Sequence, residues 1–194
     1  MKKLISVLLA AAAVLCIVSC AKRDNDSNTP IEGETNYVKL EMENGDVMII
    51  ELYPDEAPIT VRNFKKLVSQ HYYDGTVFHR VIYGFMIQGG AGADTAAIKG
   101  EFSSNGVKNN IQHDRGVISM ARTSDPNSAT SQFFICQSRE GCQHLDGSYA
   151  AFGKVISGLD VIDKIAAVET DANDKPLTEQ KIKSMTFVSV EETK

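Results

Sequence analysis

The sequence predicts a mainly β domain, an eight-stranded antiparallel β-barrel, closed, and capped by two α-helices. Three observations point there. About eight short segments alternate polar and apolar residues or are wholly apolar at strand length. Two amphipathic stretches, one near each end of the domain, carry helical spacing. The connections are mostly hairpin-like. A split β-sandwich satisfies the same pattern. At 194 residues the chain has room for one such domain and a little over, and its 43% hydrophobic and 23% charged residues are ordinary for a globular protein. The net charge of −5, with no Lys/Arg run longer than two, argues against a nucleic-acid partner, because such affinity comes mainly from neutralising phosphates.

The first segment is not part of that domain. Met1-Lys2-Lys3 precedes an uncharged apolar stretch over 4–18, too short for a spanning helix and of the length of a secretory signal. It ends Ile17-Val18-Ser19-Cys20, which resembles a bacterial lipobox. That resemblance implies a signal peptide over 1–19, cleavage before Cys20 and acylation of Cys20, a membrane attachment made stable by more than one acyl chain. Ala21 after the cysteine points to the outer membrane by the rule of enteric bacteria. A plain secretory signal or an uncleaved anchor is the alternative. Residues 20–36 hold Ile31 as their one sizeable apolar side chain, so they read as a flexible tether, with the domain spanning 37–192.

Within the domain, residues 37–43 alternate, Asn44-Gly45 is a two-residue hairpin signal, and 47–53 form the return strand. Pro58 opens a helix over 58–70, where Val61, Phe64, Leu67 and Val68 share a face. Residues 76–83 and 85–88 are strand-like, and a polar segment follows over 91–115; loops of that length are uncommon unless functional. Short apolar strands are expected at 117–121, 132–136 and 150–156, a second helix around Val161, Ile162, Ile165 and Ala166, and a last strand over 182–190. Cys136 and Cys142 are the two cysteines of the domain. A disulfide is sterically open to them, but Cys136 ends the apolar run Phe133-Phe134-Ile135, which favours a buried free thiol.

Conventional catalytic groupings are missing. His71, His79, His113 and His144 lack metal-ligand spacing, the glycine run at 89–92 lacks the Lys-Ser/Thr of a phosphate loop, and no serine sits in a nucleophile elbow. Neither a metal nor a cofactor is expected.

One segment stands out: Phe78-His79-Arg80-Val81-Ile82-Tyr83-Gly84-Phe85-Met86-Ile87-Gln88-Gly89-Gly90. It resembles the cyclophilin signature of peptidyl-prolyl cis–trans isomerases. Gly116 to Arg122, Ser131 to Cys136, and Leu145-Asp146-Gly147 followed by Phe152 to Val155 continue the match in order and in register, from about Tyr37 to Val190. The resemblance implies the closed barrel with two helices, with the active site on its outer face. It puts Arg80 at the catalytic position. Phe85, Met86, Phe134 and Leu145 would line a proline slot, with Tyr149 at its edge. Gln88 and Gln132 would hold Arg80 and the substrate backbone, while Ala121, Arg122 and Thr123 would offer the peptide an edge. His79, facing away on a regular strand, and Phe133, on the opposite side from Phe134, read as structural. His144 stands where eukaryotic members carry a tryptophan that binds cyclosporin, and weaker drug binding is expected; Tyr149 and Arg122 also depart from the eukaryotic pattern. The residues Gly141-Cys142-Gln143 carry no reading.

The expected function is therefore an isomerase of X–Pro bonds in proline-containing polypeptides, monomeric and lipid-anchored in a bacterial envelope, assisting exported proteins. A non-catalytic proline-segment binding module or chaperone is the alternative; a third reading makes the anchor and tether the essential part of a surface adhesin or antigen. The arginine discriminates, since a pure binder does not need it.

Overall fold

The computed structural model describes residues 35–193. The expected signal peptide, Cys20 and most of the expected tether lie outside the described residues.

The first hairpin forms as its pattern requires. Strands β1 (Tyr37–Met42) and β2 (Val47–Leu52) pair antiparallel with Tyr37 opposite Glu51 and Glu41 opposite Val47. Gly45 turns the chain at φ 89°, a conformation in which an L side chain is strained. Helix α1 (Pro58–Ser69) buries Val61, Phe64, Leu67 and Val68 as the spacing predicts. Its N-terminus has no capping side chain of its own. The cap comes from the long polar segment instead: the buried Glu101 accepts the Ile59 N–H at 3.0 Å and the Thr60 N–H at 2.7 Å. Asn109 braces that segment by donating to the carbonyls of Glu101 (2.9 Å) and Ala151 (2.8 Å).

The remaining strands are β3 (Arg80–Ile82), β4 (Met86–Gly89), β5 (Val117–Met120), β6 (Phe133–Cys136), β7 (Ala151–Ser157) and β8 (Ile182–Phe187). All pairings are antiparallel, in the order β3-β4-β6-β5-β7-β2-β1-β8. The sheet curls into a half-barrel but is open, not closed as expected. The reason lies at its two edges. The chain leading into β3 meets the start of β8 through the single bridge Val77–Lys181 and a few hydrogen bonds, including Phe78 N–H to Gln180 O at 2.9 Å. Beyond that point the free edge of β3 is taken by a loop: Val81 N–H donates to Asp174 O at 2.8 Å. No ladder joins β3 to β8.

Strand β6 separates two apolar regions, because successive side chains point to opposite faces. Phe133 and Ile135 enter the main core, where Phe64, Tyr73, Phe78, Phe133 and Phe152 pack with ring centroids 5.1–6.0 Å apart. Phe134 and Cys136 face outward into a second cluster with Met86, Cys142 and Leu145. Helix α3 (Leu159–Ala166) is the expected second helix.

A third helix corrects the expected count. Helix α2 (Arg139–Cys142) is one turn long and accounts for Gly141-Cys142. Ser138 caps it, its Oγ accepting the Gly141 N–H at 3.1 Å and donating to Gly84 O at 2.5 Å. A Cβ on Gly141 would collide with Gly84 O, so only glycine lets the helix press against the β3–β4 turn. Cys136 and Cys142 are both free and buried. The neighbouring Cys142 thiol and then burial push the Cys136 thiol far up, so it stays protonated.

Candidate active site

Sheet register builds the site. Arg80 on β3 lies opposite Gln88 on β4, Gln88 opposite Phe134 on β6, and Phe134 opposite Ser119 on β5. These four residues form one row across the outer face of four strands. A second row, Ile82–Met86–Cys136, runs beside it. Above the rows opens a pocket of about 130 Å³, lined by Arg80, Phe85, Met86, Gln88, Ala121, Arg122, Phe134, Leu145 and Tyr149. The buried Met86, Phe134 and Leu145 give it an apolar floor, and Tyr149 stands edge-on to Phe134 at 5.8 Å.

Nine of the twelve residues expected at the site thus line one pocket. The other three stand around it. Gln132 accepts a hydrogen bond from Gln88 Nε2 at 3.0 Å. His144 is exposed, its ring 5.4 Å from that of Phe85. Thr123 is exposed and hydrogen-bonded to Ser128 at 2.8 Å. Arg122 is held in place by the Ser148 carbonyl (2.8 Å) and the Thr123 carbonyl (2.8 Å), with its guanidinium 4.5 Å from the centre of the Tyr149 ring and 5.1 Å from that of Phe102. The side chain of Arg80 does not bond Gln88 as expected. Among the described residues its hydrogen bond goes to Asp174, Nε to Oδ2 at 3.2 Å.

Behind Phe134 lies a polar wall that the sequence did not disclose. His113 is fully buried and stacks on the Phe134 ring at 5.9 Å with 14° between planes. A carboxylate can only accept, so the Nδ1–H of His113 donates to Asp146 (3.0 Å), and Nε2 accepts a hydrogen bond from the hydroxyl of Ser119 (3.0 Å). Burial lowers the pKa of His113 against the raising effect of Asp146, which keeps the ring neutral. Burial raises that of Asp146, but Arg139 and His113 outweigh it and bring it down to about 2. This Ser–His–Asp order copies that of a nucleophilic triad. Ser119 is wholly buried behind the pocket floor, however, so no substrate carbonyl can reach it. The wall fixes Phe134. Ser119 and Asp146 fall in the matching stretches Gly116 to Arg122 and Leu145-Asp146-Gly147, but His113, which joins them, sits in the aperiodic segment.

What the pocket offers is an apolar slot with two permanent cations, Arg80 and Arg122, at its rim, and no serine, cysteine or histidine among the residues that line it. The family model for cyclophilin-type peptidyl-prolyl cis-trans isomerases matches residues 37–187. A peptidyl-prolyl cis-trans isomerase of Acinetobacter baylyi is 47% identical over 154 residues, covering 74% of this chain and 75% of its own length. The isomerase CYP18-1 of Arabidopsis thaliana is 40% identical over 155 residues, 77% of this chain and 94% of the relative. Among solved structures, a cyclophilin-type isomerase of Cryptosporidium parvum, crystallised in the presence of the dipeptide Ala-Pro, superposes with a TM-score of 0.70 at 32% identity, over 79% of this chain and 99% of that one. The chain belongs to the cyclophilin-type peptidyl-prolyl cis-trans isomerases and catalyses rotation about X–Pro bonds.

Proposed function

We propose that the rate acceleration comes from Arg80, acting on a proline held in the slot formed by Phe85, Met86, Phe134 and Leu145. Amide resonance sets a barrier of about 18–20 kcal/mol, and rotation breaks no covalent bond. In the twisted amide the prolyl nitrogen regains its lone pair, so a donor beside it stabilises the transition state more than the planar ground state. A guanidinium suits that task because its charge is permanent and its donors lie in one plane. The observation that carries this reading is the placement of a single row, Arg80–Gln88–Phe134, with the cation at one end and the apolar floor at the other. Ala-Pro, the dipeptide present with the Cryptosporidium parvum relative, is the natural test substrate. Exchange of an Ala-Pro peptide followed by NMR should be fast with the parent protein. With Arg80→Ala it should slow by about 10²–10³, the usual cost of removing one donor from a developing charge. Equal rates for the two would overturn the assignment, as would tight peptide binding without turnover by the parent.

The cellular setting is proposed from sequence. The apolar stretch at 4–18 and Cys20 support export and lipidation at Cys20, which would tether the isomerase, taken as a monomer, in a bacterial envelope, on the outer membrane by the Ala21 rule, where it assists exported proteins. Intact-mass measurement of the mature chain should find acylated Cys20 as the first residue. An unmodified terminus elsewhere would refute it.

A further inference from the structure

We infer that Asp174 is a positioning residue for the isomerase reaction, holding the Arg80 guanidinium in the plane the substrate needs. The inference rests on Arg80 being the catalytic group. Strand β3 is an edge strand of three residues, and Arg80 is its first. A long side chain there would ordinarily sample many rotamers, and fixing it carries an entropic cost. Asp174 limits that freedom from two directions. Its carbonyl accepts the N–H of Val81 at 2.8 Å, which fixes the edge of β3. Its carboxylate accepts the Nε–H of Arg80 at 3.2 Å, which leaves both terminal amino groups of the guanidinium to the pocket.

The loop is shaped for this contact. Asp174 has φ 63°, one of two non-glycine residues of the described chain in the left-handed region, where Asp and Asn are the tolerated types. Asp171 holds the turn, its Oδ1 accepting the N–H groups of Asn173 (2.8 Å) and Lys175 (3.0 Å). The ion pair itself is exposed, with side chains 43% and 41% accessible, so it adds little to stability. Its effect is on orientation. Misplacing a catalytic group by about 1 Å can cost up to 10²-fold in rate.

Three variants of the full chain separate the roles. Asp174→Gly keeps the left-handed backbone and removes the carboxylate; Asp174→Asn keeps an oxygen acceptor; Arg80→Ala removes the group being positioned. Asp174→Gly should lower kcat/KM by on the order of 10-fold while the Kd for a non-reactive proline peptide stays within about twofold, and Asp174→Asn should recover most of that loss. In an Arg80→Ala background Asp174→Gly should cost nothing more, because the two act as one unit. Four results would overturn the proposal: a Gly variant at the parent rate, an Asn variant no better than Gly, an equal loss with and without Arg80, or a Gly variant that fails to fold. If Arg80→Ala alone keeps the parent rate, it is the catalytic assignment of Arg80 that fails. If Arg80→Ala is slow and Asp174→Gly is not, only the positioning role fails.

Discussion

Gly141 shows how tightly the wall of the proline slot is assembled. Its Cα approaches the β3–β4 turn so closely that a methyl group would collide with Gly84 O and come within 2.9 Å of Phe85 Cα. Gly141→Ala must therefore push α2 away from the turn, and Phe85 moves with it. Overpacking of this kind costs about 1–3 kcal/mol. The expected result is a lower urea midpoint together with weaker peptide binding; an unchanged midpoint would show that the helix can shift freely. At this scale, what could be read in advance followed sequence contiguity. Arg80, Phe85, Met86 and Gln88 lie in one run of strand and turn, and the opposed roles of Phe133 and Phe134 follow from strand alternation alone. Asp174 lies 94 residues beyond Arg80 in a polar loop, and nothing local marks which of its carboxylates reaches the arginine.

Among the elements, α1 depends on a residue that periodicity could not assign to it. Its apolar face was evident from Val61, Phe64, Leu67 and Val68, but its first turn lacks a cap and borrows Glu101 from 41 residues away. The buried carboxylate satisfies two orphan N–H groups at the positive end of the helix dipole. Glu101→Ala leaves both unpaired, and hydrogen bonds to a charged group are worth about 1.5–3 kcal/mol. A loss of at least that size in chemical denaturation is expected, since two such bonds are removed, with a smaller one for Glu101→Gln, which keeps an oxygen acceptor; equal stability of all three proteins would contradict the assignment. The aperiodic segment thus has its work in tertiary contacts, which is why it shows no pattern. Helix α2 escaped for another reason: four residues are too few to display a helical period. The open edge between β3 and β8 was equally hidden, since alternation identifies strands and says nothing about whether the first and last of a sheet meet.

For the molecule as a whole, the buried wall behind Phe134 couples folding to pH. His113 titrates below its ordinary value of 6.5 in the folded chain because burial disfavours the imidazolium. The unfolded chain then binds more protons than the folded one as pH drops through 6.5, so stability complete above that pH declines until the folded value is passed. Asp146 acts lower. Its carboxyl, brought from 3.8 to about 2 by Arg139 and His113 despite burial, contributes stability present above 3.8 and lost as pH falls toward about 2. That second loss is at most about 2 kcal/mol, since a tenfold change in proton affinity corresponds to about 1.4 kcal/mol and water screens the partly exposed carboxylate. Thermal melts should therefore show the midpoint falling in two windows, one beginning near pH 6.5 and one below pH 4. Asp146→Asn cannot titrate at that position, so it should start from a lower midpoint at neutral pH and show a smaller step below pH 4, the remainder coming from other lowered carboxylates such as Asp46, Asp163 and Asp171. A parent midpoint constant from pH 7.5 to pH 3, or a variant that keeps the lower step in full, would mean that these groups do not link protonation to the fold.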